Sequence, residues 1–293
     1  MAHAVAARAI PAYSHPCSPR VFTQHQLFAC LVLKRMLKLD DRGVVALLDD
    51  CADLRHAIGL TRTPDHSTLH KFAARLLRAA DTTRLLDESV KLGVEARVVS
   101  KNVQLAAIDS TGMESHHTSR YFVRRREKGH KHAATPRFQR TGYRRFPKLQ
   151  LLCDTRSHMI LAFGSERGPG PDHRFFEKLL VQAKWRVGIQ AVAADAGYDS
   201  EPNHLIARRD LGIVSLIPCK IGRPTDKKPT GHHRAVMASR IHLTRYGQRW
   251  QVETVNSVIK RRQSPDLRAR DHHAERRACA LVALTHNVTV LLP

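Results

Sequence analysis

The sequence predicts an α/β chain: a mixed β-sheet flanked by helices, preceded by a small all-helical domain. Three observations predict it. Residues up to about 98 carry only helical signals, with capping residues followed by apolar positions at three- and four-residue spacing. From Lys101 onward the apolar residues come in short runs bounded by turn residues. Those runs then alternate with helical stretches, the pattern of strands laid side by side with helices over their faces.

Residues 1–20 contain Pro11, Pro16 and Pro19 and read as a flexible arm. Thr23–Gln24–His25–Gln26 is a capping box ahead of the apolar run Leu27 to Leu39, and predicts a helix there. A second, short helix covers Gly43 to Cys51, and Gly59 and Pro64 mark turns. Asp65 supplies the cap for a third helix, in which Leu69, Phe72, Ala73, Leu76 and Leu77 share one face. A fourth runs to about Gly93. Residues 21–98 therefore form a helical domain. Helices joined by short turns suit a helix-turn-helix contact with DNA, with His70 and Lys71 near the start of the inserted helix. They equally suit a bundle that only packs or dimerises.

Val103 to Ile108 predicts a strand ending at Asp109. Lys148 to Cys153 and Met159 to Gly164 predict two more, joined by the turn Asp154 to His158 as an antiparallel meander. Asp172 is placed to cap a helix from Phe175 to Val187. Ile189 to Ala194 is the next strand and ends at Asp195. Glu201 to Leu211 is helical, and Gly212 to Pro218 is a further strand. A polar stretch from Lys220 to Arg240 precedes a mostly helical end, Leu243 to Leu292. Three strands followed by helix, strand, helix, strand and helix resemble the element order of an RNase H-like domain, here residues 99–293.

The chain has 49 Lys and Arg against 26 Asp and Glu, a net charge of +23. Such a charge points to a polyanionic partner, nucleic acid or an anionic membrane surface. No run approaches the roughly 20 apolar residues of a membrane span; Ala278 to Leu292 is interrupted by Thr285, His286 and Asn287. The first 16 residues lack a continuous apolar core, which argues against a secretory signal. The six cysteines are scattered without a CxxC, as expected of free thiols in the cytoplasm. The pairs His116–His117, His232–His233 and His272–His273 have no cysteines at zinc-finger spacing.

Two aspartates end strands: Asp109 in IDSTG and Asp195 in ADAGYDS. If the strands are parallel neighbours, both carboxylates emerge at one sheet edge, where α/β folds build their sites. Taken singly, each is as well explained as a turn residue. Tyr246, Arg249, Glu253 and Lys260 lie at offsets 0, 3, 7 and 14. On a continuous helix these fall within about 60° of circumference. Asn256 and Ser257 lie on nearly the same face, and the apolar Trp250, Val252, Val255 and Val258 imply a buried side close by.

The spacing Tyr246-x2-Arg249-x3-Glu253-x6-Lys260 resembles the YREK signature of bacterial insertion-sequence transposases of the DDE type. IDSTG and ADAGYDS resemble that family's two Asp motifs, and Pro64 to Phe72 lies where its DNA-end-binding region would be. The resemblance runs from about Phe22 to Leu292. It implies a transposase that binds the ends of a mobile element in double-stranded DNA, cleaves them and joins the 3′-OH to target DNA. It implies Asp109, Asp195 and Glu253 as catalytic metal ligands. Two Mg²⁺ ions about 3.5–4 Å apart suit an in-line displacement at phosphorus, and Mg²⁺ prefers carboxylate oxygens. Asp109 is the bridging ligand on this reading, and Mn²⁺ can substitute. Arg249 and Lys260 would hold phosphates, and Tyr246 would contact the backbone or stack on an unpaired base. A dimer or larger assembly on DNA, at the nucleoid, is implied by the need to join two ends. A nuclease of the same fold without strand transfer, and a non-catalytic DNA-binding derivative, stay open as alternatives.

Asp154, Asp172, Asp199 and Asp266 read as turn, cap or solvated residues, and Glu114 is the nearest rival to the triad. The segment 111–147 is a basic insertion. It carries Arg124, Arg125, Arg126, Arg144 and Arg145 among interleaved aromatics, with only Glu114 and Glu127 opposing. Such a loop beside a carboxylate site suits contact with the DNA backbone.

Overall fold

The computed structural model describes residues 1–115, 146–220, 229–240, 243–269 and 271–292. Its centre is a five-stranded mixed sheet. The strands are β1 (Ala106–Gly112), β2 (Phe146–Asp154), β3 (Ile160–Gly168), β4 (Ala191–Ala194) and β5 (Val214–Leu216), in the spatial order β3-β2-β1-β4-β5. β1, β2 and β3 pair antiparallel, whereas β4 and β5 join β1 in parallel. This is the RNase H-like arrangement. A hairpin meander makes one half, and crossover helices build the other.

Twelve α-helices surround the sheet among the described residues: α1 (Ala2–Ala9), α2 (Gln24–Met36), α3 (Asp41–Asp50), α4 (Ala52–Ile58), α5 (His66–Leu76), α6 (Ala79–Glu95), α7 (Phe176–Lys184), α8 (Glu201–Leu205), α9 (His232–Arg240), α10 (Leu243–Gly247), α11 (Trp250–Gln263) and α12 (His272–Val290). The capping chemistry places several of them. Thr23 and Gln26 form the reciprocal box at α2, Asp40 caps α3 and Asp65 caps α5. Asp172 does not cap α7; it opens a 3₁₀ turn, and its carboxylate lies 2.6 Å from Lys148 Nζ. Residues 1–20 are also not a loose arm throughout. α1 buries Val5 and Ala6, and Arg8 bridges Glu88 and Glu95 of α6. Small alanines let α1 lie close to its neighbours, a packing gain that prolines further along do not oppose.

The helical segment and the sheet share one core. Leu27, Phe28, Leu31, Leu69, Phe72 and Leu85 belong to the same apolar cluster as Ile108, Leu152, Phe176 and Leu284. A second cluster fills the other face, where Ala107, Leu149 and Leu151 meet Val252, Val255 and Ile259 of α11 and Val282 of α12. Asn287 stitches three elements together inside. It accepts from Ile160 N and donates to Ile160 O and to Ser89 Oγ, at 2.8, 2.8 and 3.1 Å. All six cysteines are free. Among the described residues no helix is long and apolar enough to cross a membrane.

Candidate active site

Asp109 lies in the middle of β1, not at its end. The antiparallel ladder with β2 continues to Gly112, opposite Lys148, while the parallel ladder with β4 stops at Ile108 opposite Ala194. Asp109 and Asp195 are the next residue on each strand. They leave the last shared rung side by side, about one strand spacing apart. β4 stops because Asp195 becomes the cap of a short 3₁₀ turn, its Oδ1 accepting from Gly197 N at 2.9 Å. A Cβ at residue 197 would stand 3.0 Å from that oxygen, so a larger residue there would make the Asp195 carboxylate shift by a few tenths of an ångström. Tyr198, fully buried, anchors the far side of the turn.

Glu253 comes from α11. Val252, Val255 and Ile259 are fully buried against the sheet. Each contributes about 1.5–3 kcal/mol by leaving water, so together they fix the helix's rotation. With that phase set, Asn256 turns toward β1 and donates to Asp109 Oδ2 at 2.9 Å. Glu253 projects outward with its side chain 53 % exposed and accepts from Arg249 Nη2. Burial pushes the Asp109 carboxyl up to about 6. The Ser110 N–H and Arg249 oppose the rise, and the negative charges of Asp195 and Glu253 add to it. Asp195 and Glu253 are therefore both close enough to act on Asp109 electrostatically. Arg249 is raised despite its burial, through its hydrogen bond and charge contact with Glu253.

The YREK residues do not sit on one continuous helix. Tyr246 belongs to α10, and Arg249 is the residue before α11. Between them Gln248 and Arg249 close i→i+3 turns onto Arg245 and Tyr246, at a point where Gly247 weakens helical continuity. Tyr246 instead packs on Leu105, Ala191, Ala193 and Leu216, at the β4–β5 side of the sheet. Trp250, opening α11, is 52 % exposed. Lys260 lies on α11 two turns beyond Glu253. His70 is on α5, its Nδ1 3.6 Å from Asp41, and Lys71 is exposed beside it. Neither belongs to the carboxylate cluster. Arg124, Arg125, Arg126, Arg144 and Arg145 lie outside the described residues. Glu114 pairs through its backbone with Asp266, in a two-residue strand that leads away from Asp109.

Two residues carry more than their sequence positions suggest. Asn256 was visible on the right helix face, but only packing reveals that it reaches Asp109. Asp199 is not a turn residue exposed to solvent. Its side chain is 0 % exposed and accepts from both Nε and Nη2 of Arg234 and from Lys220 N. Beside it, Glu201 accepts from the N–H groups of His233 and Arg234 and so caps α9, a helix the polar sequence does not announce.

Residues 103–288 match the transposase DDE domain family. The chain belongs to the DDE transposases. No curated protein matches its sequence. The crystal structure of a pre-cleavage Mos1 transpososome is similar with 11 % identity and a TM-score of 0.23, over 96 % of this chain and 81 % of that one. Transposition chemistry on DNA and the use of divalent metal ions come with membership of the family. The donor set of this DDE transposase suits such ions: all-oxygen carboxylates, with one carboxyl raised by burial and by like charges that a cation would neutralise. Among the described residues, no three His, Cys, Asp or Glu side chains converge as a closed ligand set. Each carboxylate has turned to a protein partner instead: Asn256, Gly197 N and Arg249 respectively.

Proposed function

We propose that this chain is a DNA transposase that binds the ends of a mobile element, hydrolyses a phosphodiester at each and joins the freed 3′-OH to target DNA. The observation that carries the reading is the meeting of Asp109 and Asp195 at the end of the β1–β4 ladder, with Glu253 close enough to perturb Asp109. Asp109, Asp195 and Glu253 would hold two Mg²⁺ ions, with Asp109 between them. Bound there, the ions would supply Lewis-acid stabilisation of the attacking and leaving oxygens.

The chain's own residues do the rest. Asn256 holds one Asp109 oxygen, Oδ2, and so fixes the orientation of the carboxylate. Arg249 holds Glu253 in place through its hydrogen bond, and its guanidinium would offer further donors to a phosphate oxygen. Lys260 provides a second phosphate contact further along α11. Tyr246 buttresses Arg249 from its packed position, and the exposed face of Trp250 suits stacking on an unpaired base. The basic residues of segment 111–147 would contact the DNA backbone, as would His70 and Lys71 of α5, and two copies would act on a pair of ends.

The decisive experiment uses a duplex carrying the element's terminal repeat, with Mg²⁺. Wild-type protein should nick the end and transfer it to a second duplex, and Asp109→Asn should do neither. Nicking without transfer, even from pre-cut ends, would establish the nuclease alternative. Full activity in Asp109→Asn would remove the triad assignment.

A further inference from the structure

A second basic site lies on the far side of the sheet from β4. The outer edge of β3 is closed at its start by Asn287 on Ile160 and by Arg186, whose Nη1 donates to Leu161 O at 3.0 Å. At Phe163, Gly164 and Ser165 that edge faces a cleft of about 420 Å³ instead. The start of α6, the outer side of α7 and the first turns of α12 make its other walls. Arg78, Lys178, Arg186, His273, Arg276 and Arg277 line it, and among the described residues no Asp or Glu does. Arg186 is matched by Asp87 at 2.7 Å. Among the described residues Arg78, Lys178, Arg276 and Arg277 form no ion pair within 4 Å, and Arg78, Lys178 and Arg276 are exposed.

Helix geometry reinforces the charge. α6 is 17 residues long, and no side chain caps its N-terminus at Arg78, which opens into this cleft. The positive end of the helix dipole is thus added to four side-chain cations. Asp87 matches Arg186, and Asp271 lies near enough to Arg277 to be lowered by it, but the cations still outnumber these acids, and a bound anion relieves the excess. A phosphodiester backbone fits better than a single phosphate, because the cations come from three separate elements along an open cleft.

The site is distinct from the carboxylates. Phe163 stands opposite Leu151, which stands opposite Asp109. The cleft wall is therefore two strand spacings, about 10 Å, from Asp109.

We propose that the cleft between α6, β3, α7 and α12 binds the phosphate backbone of duplex DNA as an anchoring site separate from the carboxylate centre. The inference rests on the transposase reading for its choice of polyanion. The test measures binding of a fluorescent 30-base-pair duplex against salt concentration. It compares wild type, the variant K178A/R276A/R277A, and a charge-matched control, K91Q/K101Q/K184Q, on the surface around Trp185. Loss of each phosphate contact flattens the slope of log K against log salt by about 0.9. The cleft variant should lose at least about tenfold in affinity at 0.1 M salt and flatten the slope by about 2.7, with unchanged melting temperature. The control should stay within about threefold of wild type on the same ground, since it changes net charge but no contact. Equal effects in the two variants would overturn the site, leaving only a general electrostatic field. So would a cleft variant that binds like wild type, and in that case Mg²⁺-dependent nicking by wild type would leave the transposase reading standing. A wild-type chain that neither binds nor nicks DNA would overturn both.

Discussion

Asp109 and Asp199 are both withdrawn from water, yet their surroundings treat them in opposite ways. Asp199 is surrounded by donors. Burial alone would raise it, but the Arg234 guanidinium and the Lys220 N–H overcome that and hold it below the ordinary carboxylate value. Asp109 receives one side-chain amide from Asn256, sits beside two other carboxylates, and is raised to about 6. The contrast separates an aspartate that holds the fold together from one kept short of positive charge. A compensated buried charge is structural, whereas an uncompensated one marks a place where something cationic is expected to bind.

The sharpest test of that contrast is the pair of removals. Asp109→Asn should lower Mg²⁺-dependent nicking by more than the ten- to hundredfold typical of outer-shell changes. It should also stabilise the metal-free protein at pH 8, by about 3 kcal/mol. The sign follows from linkage. The folded carboxyl binds its proton more tightly than the unfolded one, so the wild-type cost is present above pH 6 and disappears as pH falls toward 4. Melting curves at pH 8 and pH 4 would show the gain at the first and not at the second.

Asp199→Ala should do the reverse: no gain, and a loss of about 3–5 kcal/mol, because Arg234 and the Lys220 N–H lose their acceptor. Urea unfolding reads it directly. An Asp199→Ala protein as stable as wild type would show that the two aspartates do not differ as described.

Asn256→Ala comes next. It removes the one side-chain donor to Asp109 among the described residues and should lower activity about tenfold to a hundredfold. Partial rescue is expected from Asn256→Gln, and Mg²⁺ titration of the rate should show a raised requirement for metal. Glu253→Gln should abolish nicking yet change stability by less than about 0.5 kcal/mol, since the Glu253 side chain is itself exposed.

The smallest effect concerns acid. His204, with Nδ1 2.7 Å from Ser215 Oγ and Nε2 3.9 Å from Asp199, is lowered to about 4 by burial. The unfolded chain binds the proton more tightly here, so this region loses stability as pH falls from 6.5 toward 4. The Asp109 region gains it over a similar range. In His204→Asn the fall in melting temperature between pH 6.5 and pH 4 should be shallower.

Much of this was legible in the residues. The caps at Thr23, Asp40 and Asp65 and the apolar runs around Ile108, Leu151 and Ala194 announce their elements, because capping and burial are local demands. The spacing from Tyr246 to Lys260 announced the family for the same reason, since a helix face is written in its sequence. Features that depend on distant partners were not legible. α9 is polar on its own and exists where Glu201 caps it and Asp199 clamps Arg234. α1 looked like an arm because nothing in residues 1–20 names α2 and α6 as its packing partners.

The sequence by itself determined the order of elements, the three acidic candidates and the net charge of +23. The tertiary structure alone decided which carboxylates are compensated. It extended β1 past Asp109 by pairing it with β2, broke the YREK stripe at Gly247, and aimed Asn256 at Asp109 by burying Val252, Val255 and Ile259. The physical reason is that desolvation and hydrogen-bond satisfaction depend on neighbours 100 or more residues away, and no local pattern encodes them.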